Sequence, residues 1–204
     1  MACRENRSFC WGGRGVSSFE TSWGPVLRYV REGRLAVRVE RLAEDEGRER
    51  PAVARLREPL EIWRGLPREG DLPHRRELRP ERFPGFLPKL CIIELFLKER
   101  DFRWALHGGE HEYWLGRSLK GLRASDIGDA ATWRLRDAAF EIYESRRPGL
   151  IAIDYYRGEA TYLRATILCL PFRVDTPATG VLLCPAEFEP LHSLDPDELI
   201  SRAD

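Results

Sequence analysis

The chain has 204 residues, enough for one domain with extensions or two small ones. Its 33 basic and 33 acidic side chains cancel, which removes the global field that draws a protein to nucleic acid or to a membrane surface. Hydrophobic residues make up 43%, sufficient for a core, yet no run approaches the roughly 20 apolar residues of a membrane span.

Residues 1–34 are punctuated by Gly12, Gly13, Gly15, Gly24 and Pro25 and show no periodicity. With the segment to residue 50 they are expected to form a partly flexible N-terminal arm, in which Trp11, Phe19 and Trp23 are docking candidates. No apolar h-region marks a secretory signal. Leu35, Val37 and Val39 alternate as in a strand, and Glu44-Asp45-Glu46 follows as a solvated run. From Pro51 the spacing changes: Val53, Leu56, Leu60 and Trp63 recur as on one face of a helix, with a kink or restart expected at Pro59. Residues 65–89 read as a connector dense in Pro and Arg, packed along the domain surface, with a short helical turn near 80–84.

The apolar run Leu90–Leu97, broken only by Glu94, is expected to be a buried strand, and Phe102–His107 a second strand in hairpin with it. Strict alternation puts Phe102, Trp104 and Leu106 on one face and Arg103, Ala105 and His107 on the other. Short helical segments are expected over 110–128, with Ser125-Asp126 near a cap. A long helix follows over 130–146, ended by Pro148-Gly149. Three strands close the chain, Leu150–Tyr156, Thr161–Leu170 and Thr179–Glu187, before a polar tail from 189 to 204. Arg164 alternates with Leu163 and Ala165 and is expected to face solvent, where a salt bridge is available to it.

Few residues form a pattern that carries chemistry. His107 and His111 have the spacing of a helical metal pair, but Gly108-Gly109 interrupts the helix and no third ligand stands nearby in the sequence, so no metal site is expected. Helix 130–146 holds no His, Cys or Met for haem, and the segment before it holds no Cys for flavin photochemistry. Cys91 and His107 fall on adjacent strands, but an inert core thiol is the simpler reading. The five cysteines (3, 10, 91, 169 and 184) are odd in number and unpaired in spacing, which argues for reduced thiols and a cytoplasmic location. Nucleotide-loop and serine-nucleophile motifs are absent. The Arg residues at 64, 68, 75, 76, 79 and 82 form a local basic stretch that a solvated connector explains, so nucleic-acid binding is not expected.

The order of elements, strand, strand, short helices, long helix and three antiparallel strands, is that of the PAS fold. Over residues 52–188 the sequence resembles a bacterial PAS-like family common in alphaproteobacteria. The resemblance is carried by Trp63, Asp71-Leu72-Pro73, Leu87-Pro88, Phe102-Arg103-Trp104 with Gly108, Leu115-Gly116-Arg117-Ser118-Leu119-Lys120-Gly121 and Leu170-Pro171-Phe172. The sequence departs from the family at Ala105 and Gly109, where a basic residue and a Thr are usual.

The resemblance implies an α+β domain at 90–188: a five-stranded antiparallel sheet with helices on one face, preceded by a helical extension over 51–89. It also implies a non-enzymatic sensory or regulatory module that binds a small molecule, a protein partner, or both. Such a module signals through protein contacts, and segment 51–64 is the expected homodimer surface. Ligand-pocket candidates are Trp104, Leu106, His107, Trp114, Trp133 and Tyr143. No cofactor is named. Two rivals stand beside this reading: a structural adaptor with a filled core, and a small enzyme using His107 or His111.

Overall fold

A computed structural model describes residues 28–32, 35–40, 51–157 and 160–191. The aromatic residues of the first 27 positions, the acidic run at 44–46 and the tail beyond 191 lie outside the described residues. The fold is α+β. Seven strands form one sheet: β1 (Arg28–Glu32), β2 (Leu35–Glu40), β3 (Leu90–Phe96), β4 (Asp101–His107), β5 (Gly149–Arg157), β6 (Ala160–Phe172) and β7 (Thr179–Pro190). Their order is β1-β2-β5-β6-β7-β3-β4, and every pairing is antiparallel. The five expected strands are thus present; β2 falls where Leu35, Val37 and Val39 alternate, and β1 extends the sheet beyond it. The arm expected over 1–50 therefore contributes two strands at 28–40. Val37 and Val39 pair with Ile153 and Ile151 of β5.

Helices cover both faces, not one. On the first face lie α3 (Gly109–Leu115), α4 (Ala124–Ile127) and α5 (Ala130–Ser145). Alternation along the strands builds this layer: Leu163, Ala165, Ile167 and Cys169 of β6 join Leu182, Cys184, Ala186 and Phe188 of β7 in one core with Ala138, Ala139 and Phe140 of α5. Asp129 starts α5 by accepting from the Thr132 N–H at 2.6 Å, as an N-cap should. Arg146 ends it in the left-handed region at φ 57°. The backbone N–H of Arg123 donates to Asp126 at 2.7 Å at the start of α4.

The opposite face carries a second core. The segment over 51–64 is two short helices, α1 (Pro51–Arg55) and α2 (Arg57–Arg64), divided at Leu56. Pro59 falls in the first turn of α2, where its missing N–H costs no hydrogen bond. Leu56, Leu60 and Trp63 pack on Leu168, Leu170 and Phe172. The Trp63 indole N–H donates to the Pro171 carbonyl at 3.0 Å. The amphipathic face expected to meet a partner is therefore occupied by the chain's own sheet.

The connector over 65–89 is part of the same layer. It winds through three 3₁₀ turns (75–77, 80–82 and 84–89) that bury Leu66, Leu72, Phe83 and Phe86. Buried Glu187 on β7 ties this layer down, accepting from Arg55 at 2.8 Å and Lys89 at 3.2 Å. Half of the basic stretch is ion-paired: Arg64, Arg76 and Arg82 meet Glu61, Glu69 and Glu77, and Arg68 lies over the Trp63 ring. Arg164, expected in solvent, is mostly buried and holds Asp154 through two bonds of 2.5 and 3.0 Å. No helix among the described residues is long and apolar enough to cross a membrane.

Candidate functional site

A cavity of about 90 Å³ lies between the first face of the sheet and α3, α4 and α5. Its floor is apolar and β-branched, with Ile93, Ile151, Ile153 and Ile167 from three different strands. Its helical wall is Leu115 of α3 and Ala131 and Leu135 of α5. Polar groups gather at its edges: Asp129 and Thr132 at the start of α5, Tyr155, exposed Arg117, and a cluster of Cys91, His107 and His111.

The cluster exists because of one irregularity in β4. Ile92 pairs with Leu106 and Ile93 with Trp104, so Ala105 is an extra residue with no partner. A β-bulge of this kind reverses the facing of every residue beyond it. Phe102 and Trp104 face the cavity layer as alternation requires. Beyond the bulge, His107 joins them, and Leu106 turns to the other side with 37% of its surface exposed. The expected pairing of Leu106 with Trp104 is therefore corrected, and His107 takes its place.

Gly108 then allows a sharp entry into α3. A Cβ at this position would lie 2.4 Å from the Pro88 carbonyl oxygen and 2.7 Å from that of Leu90. This close approach brings His111, on the first turn of α3, over the end of β3. His111 and His107 have ring centroids 5.4 Å apart, and His111 packs edge-on against Phe188. His111 Nε2 lies 3.0 Å from the Lys89 carbonyl. Only N–H can satisfy that oxygen, so the neutral ring keeps its lone pair on Nδ1. Cys91 is the direct cross-strand partner of both His107 and Cys184, and the Cys184 thiol lies 3.8 Å from that of Cys169. A row of three thiols and an imidazole thus crosses β6, β7, β3 and β4, all lining the cavity.

Burial disfavours charge on Cys91, His107 and His111. It pushes the Cys91 thiol up to about 12, only partly opposed by a hydrogen bond from the Gly108 backbone. It lowers His111 to about 4, against the pull of the Lys89 carbonyl, and lowers His107 despite the nearby Glu112 carboxylate. A thiolate–imidazolium pair for nucleophilic attack is disfavoured in such surroundings.

The His111 shift has a consequence for stability. Above its free value of 6.5 the ring is neutral in both folded and unfolded chains, and its contribution is complete. Below 6.5 the unfolded chain takes up a proton that the folded chain refuses until about pH 4. Stability should therefore fall between these limits by about 3 kcal/mol through this residue. Urea unfolding across this range, with a chelator present, should show the slope, and His111→Gln should reduce it, the lowered His107 supplying part of what remains. An unchanged slope in the variant would remove His111 as the cause.

Of the six expected pocket residues, Trp104 and His107 line the cavity. Trp114, Trp133 and Tyr143 are part-buried supports that pack against the cavity-side core. Trp114 stacks near Tyr113 and Phe188, and Trp133 sits under the Arg136 guanidinium. Tyr143 lies against Gly180, and it touches the cores on both faces of the sheet. Missed from the sequence were Cys91, His111, Cys169 and Cys184 as a group. Cys169 and Cys184 carry no local signal beyond their apolar runs; the His107–His111 spacing and the Cys91–His107 adjacency are each legible, but nothing local joins them.

Searches of protein-family models, characterised proteins and solved structures return no match to this chain.

Proposed function

We propose that this protein is a sensory module of PAS type that binds a compact, mostly apolar small molecule between its sheet and α5. The cavity is the observation that carries this reading, because a purely structural adaptor would fill that space with side chains. The element order from Leu90 onward supports the PAS assignment, although the cover on the second face goes beyond what the resemblance implies. The volume of about 90 Å³ sets the ligand's size. An apolar cavity of roughly 150 Å³ takes up benzene, so the occupant here has few heavy atoms unless α5 shifts outward. The polar edges at Asp129, Thr132 and Arg117 suit one polar end on such a molecule.

A ligand acts on the fold by favouring one packing of α5 over another. Tyr143, near the C-terminal end of α5, is in contact with both cores and is the natural route from the cavity to the opposite layer. The apolar faces of α1 and α2 are committed to that layer, so an output partner would meet their charged outer faces.

Native mass spectrometry of the full chain should show extra bound mass that is lost on denaturation. Xenon and cyclopropane, both smaller than benzene, serve as probes of the cavity itself. At ten times its dissociation constant either should stabilise the chain by about 1.4 kcal/mol, a rise in Tm of about 3–6 °C. Ala131→Leu, which places a larger side chain in the cavity wall, should abolish the rise. No bound mass and no probe-dependent shift would overturn the ligand reading in favour of the adaptor.

A further inference from the structure

We propose that Cys91, His107 and His111 form a binding site for a single thiophilic cation, zinc or copper(I), in the wall of the cavity. The site goes beyond the small-molecule reading and does not depend on it. One ligand atom from each residue lies within 4.8 Å of the other two, and all three residues are buried. Two strands and a helix supply them. Cys91 and His107 are register partners on β3 and β4. His111 enters from α3 through the turn that Gly108 permits.

The donor set decides the class of ion. One sulfur and two imidazole nitrogens, with no carboxylate among them, suit zinc and copper(I) and not calcium or magnesium. In a tetrahedral zinc site neighbouring donors stand about 3.3–3.6 Å apart, as bond lengths of about 2.0–2.3 Å require. The present spread closes to that size by movements of about 1 Å, and the adjoining cavity leaves room for the rings to turn.

The surroundings fit as well. Ligating histidines donate their other N–H to a carbonyl or carboxylate, which fixes the ring. His111 already does so to Lys89. His107 does not yet do so: its Nδ1 accepts a long 3.5 Å bond from the Leu119 N–H, with the Glu112 carboxylate 3.9 Å away, so the ring must turn to gain that partner. The Gly108 backbone beside Cys91 favours its thiolate and opposes part of the effect of burial. Three protein ligands leave a four-coordinate ion one position short. All three residues line the cavity, so a water or a small molecule held there can complete the set.

The test uses the full chain carrying Cys3→Ser and Cys10→Ser, stripped with a chelator and titrated anaerobically with zinc, copper(I) or cobalt(II) alone. The expected result is one equivalent of zinc or copper(I) retained per chain after desalting. Cobalt should give a thiolate charge-transfer band and the visible spectrum of a tetrahedral ion. Cys91→Ser should abolish the charge-transfer band. His107→Gln and His111→Gln should each weaken zinc binding at least about tenfold, with circular dichroism reporting that the variants fold. Substoichiometric zinc and copper(I) in the parent chain, or a cobalt complex without a thiolate band, would overturn the proposal even if a variant failed to fold. A band that survives in folded Cys91→Ser would overturn it too. Zinc uptake with no xenon or cyclopropane shift would leave the metal site standing and remove the apolar-ligand reading.

Discussion

Trp63→Ala is expected to lower the stability of the chain by about 4 kcal/mol, the usual range for emptying a buried Trp site being about 3–5 kcal/mol. For a domain of this size that is a fall in Tm of about 8–16 °C. Trp63 is 4% exposed and sits where α2 meets the end of β6. Its removal opens a cavity among Leu60, Leu170 and Phe172 and strands the Pro171 carbonyl, which then has lost its indole donor. The guanidinium of Arg68, 4.4 Å above the ring, loses its support as well. Tyr113→Ala, at a side chain 57% exposed, should change stability little and serves as the control. Urea denaturation of the two variants makes the comparison. A loss below about 1 kcal/mol at Trp63 would mean that 51–64 is a detachable arm, free to act as the partner-binding helix that its amphipathic spacing suggests.

Gly108→Ala and Gly109→Ala are expected to differ sharply, although the two glycines are neighbours. A methyl at Gly108 would stand 2.4 Å and 2.7 Å from two backbone carbonyl oxygens, and backbone cannot rotate out of the way as a side chain can. Overpacking of this sort costs about 1–3 kcal/mol, and two carbonyl clashes place it at the upper end. The relief available is to move α3 away from β3, which separates His111 from Cys91. Gly109 is the first residue of α3, and a Cβ added there would meet nothing within 4 Å. Alanine there should be neutral or stabilise by up to about 1 kcal/mol through its better helix propensity. Thermal unfolding separates the cases. Equal effects at the two positions would mean that the tight junction between β4 and α3 is not maintained in solution.

Trp63 holds a layer that covers the sheet from behind. Gly108 sets the angle at which α3 crosses its front, and so sets the distance between the two histidines. The cavity depends on the second junction more than on the first.

Local patterns predicted a good deal. The long helix expected over 130–146 is Ala130–Ser145, because its apolar stripe and the Pro148-Gly149 stop are both short-range features. The three closing strands are as expected within a few residues, since alternation such as Leu163, Ala165 and Ile167 needs only one buried face to be visible. The restart expected at Pro59 comes at Leu56 instead, which leaves Pro59 in the first turn of α2, where a missing N–H is tolerated. Chain order and strand identity from Leu90 onward were thus determined by the sequence.

What the sequence could not determine is whatever depends on a distant partner. Alternation in Phe102–His107 gave no sign of the bulge, because an extra residue is defined only against the strand beside it; the facing of Leu106 and His107 was therefore reversed. The apolar residues of 65–89 lack a period, since short 3₁₀ turns impose none, and their burial required the second face of the sheet to be in place. Arg28–Glu32 became a strand only through pairing with β2. Cys91, Cys169 and Cys184 lie far apart along the chain, where each reads as an ordinary core residue, and register alone aligns them with His107. Side-chain type and local period are properties of the chain, whereas register, bulges and the meeting of layers are properties of the folded sheet. The cavity and its Cys–His–His wall belong to the second kind.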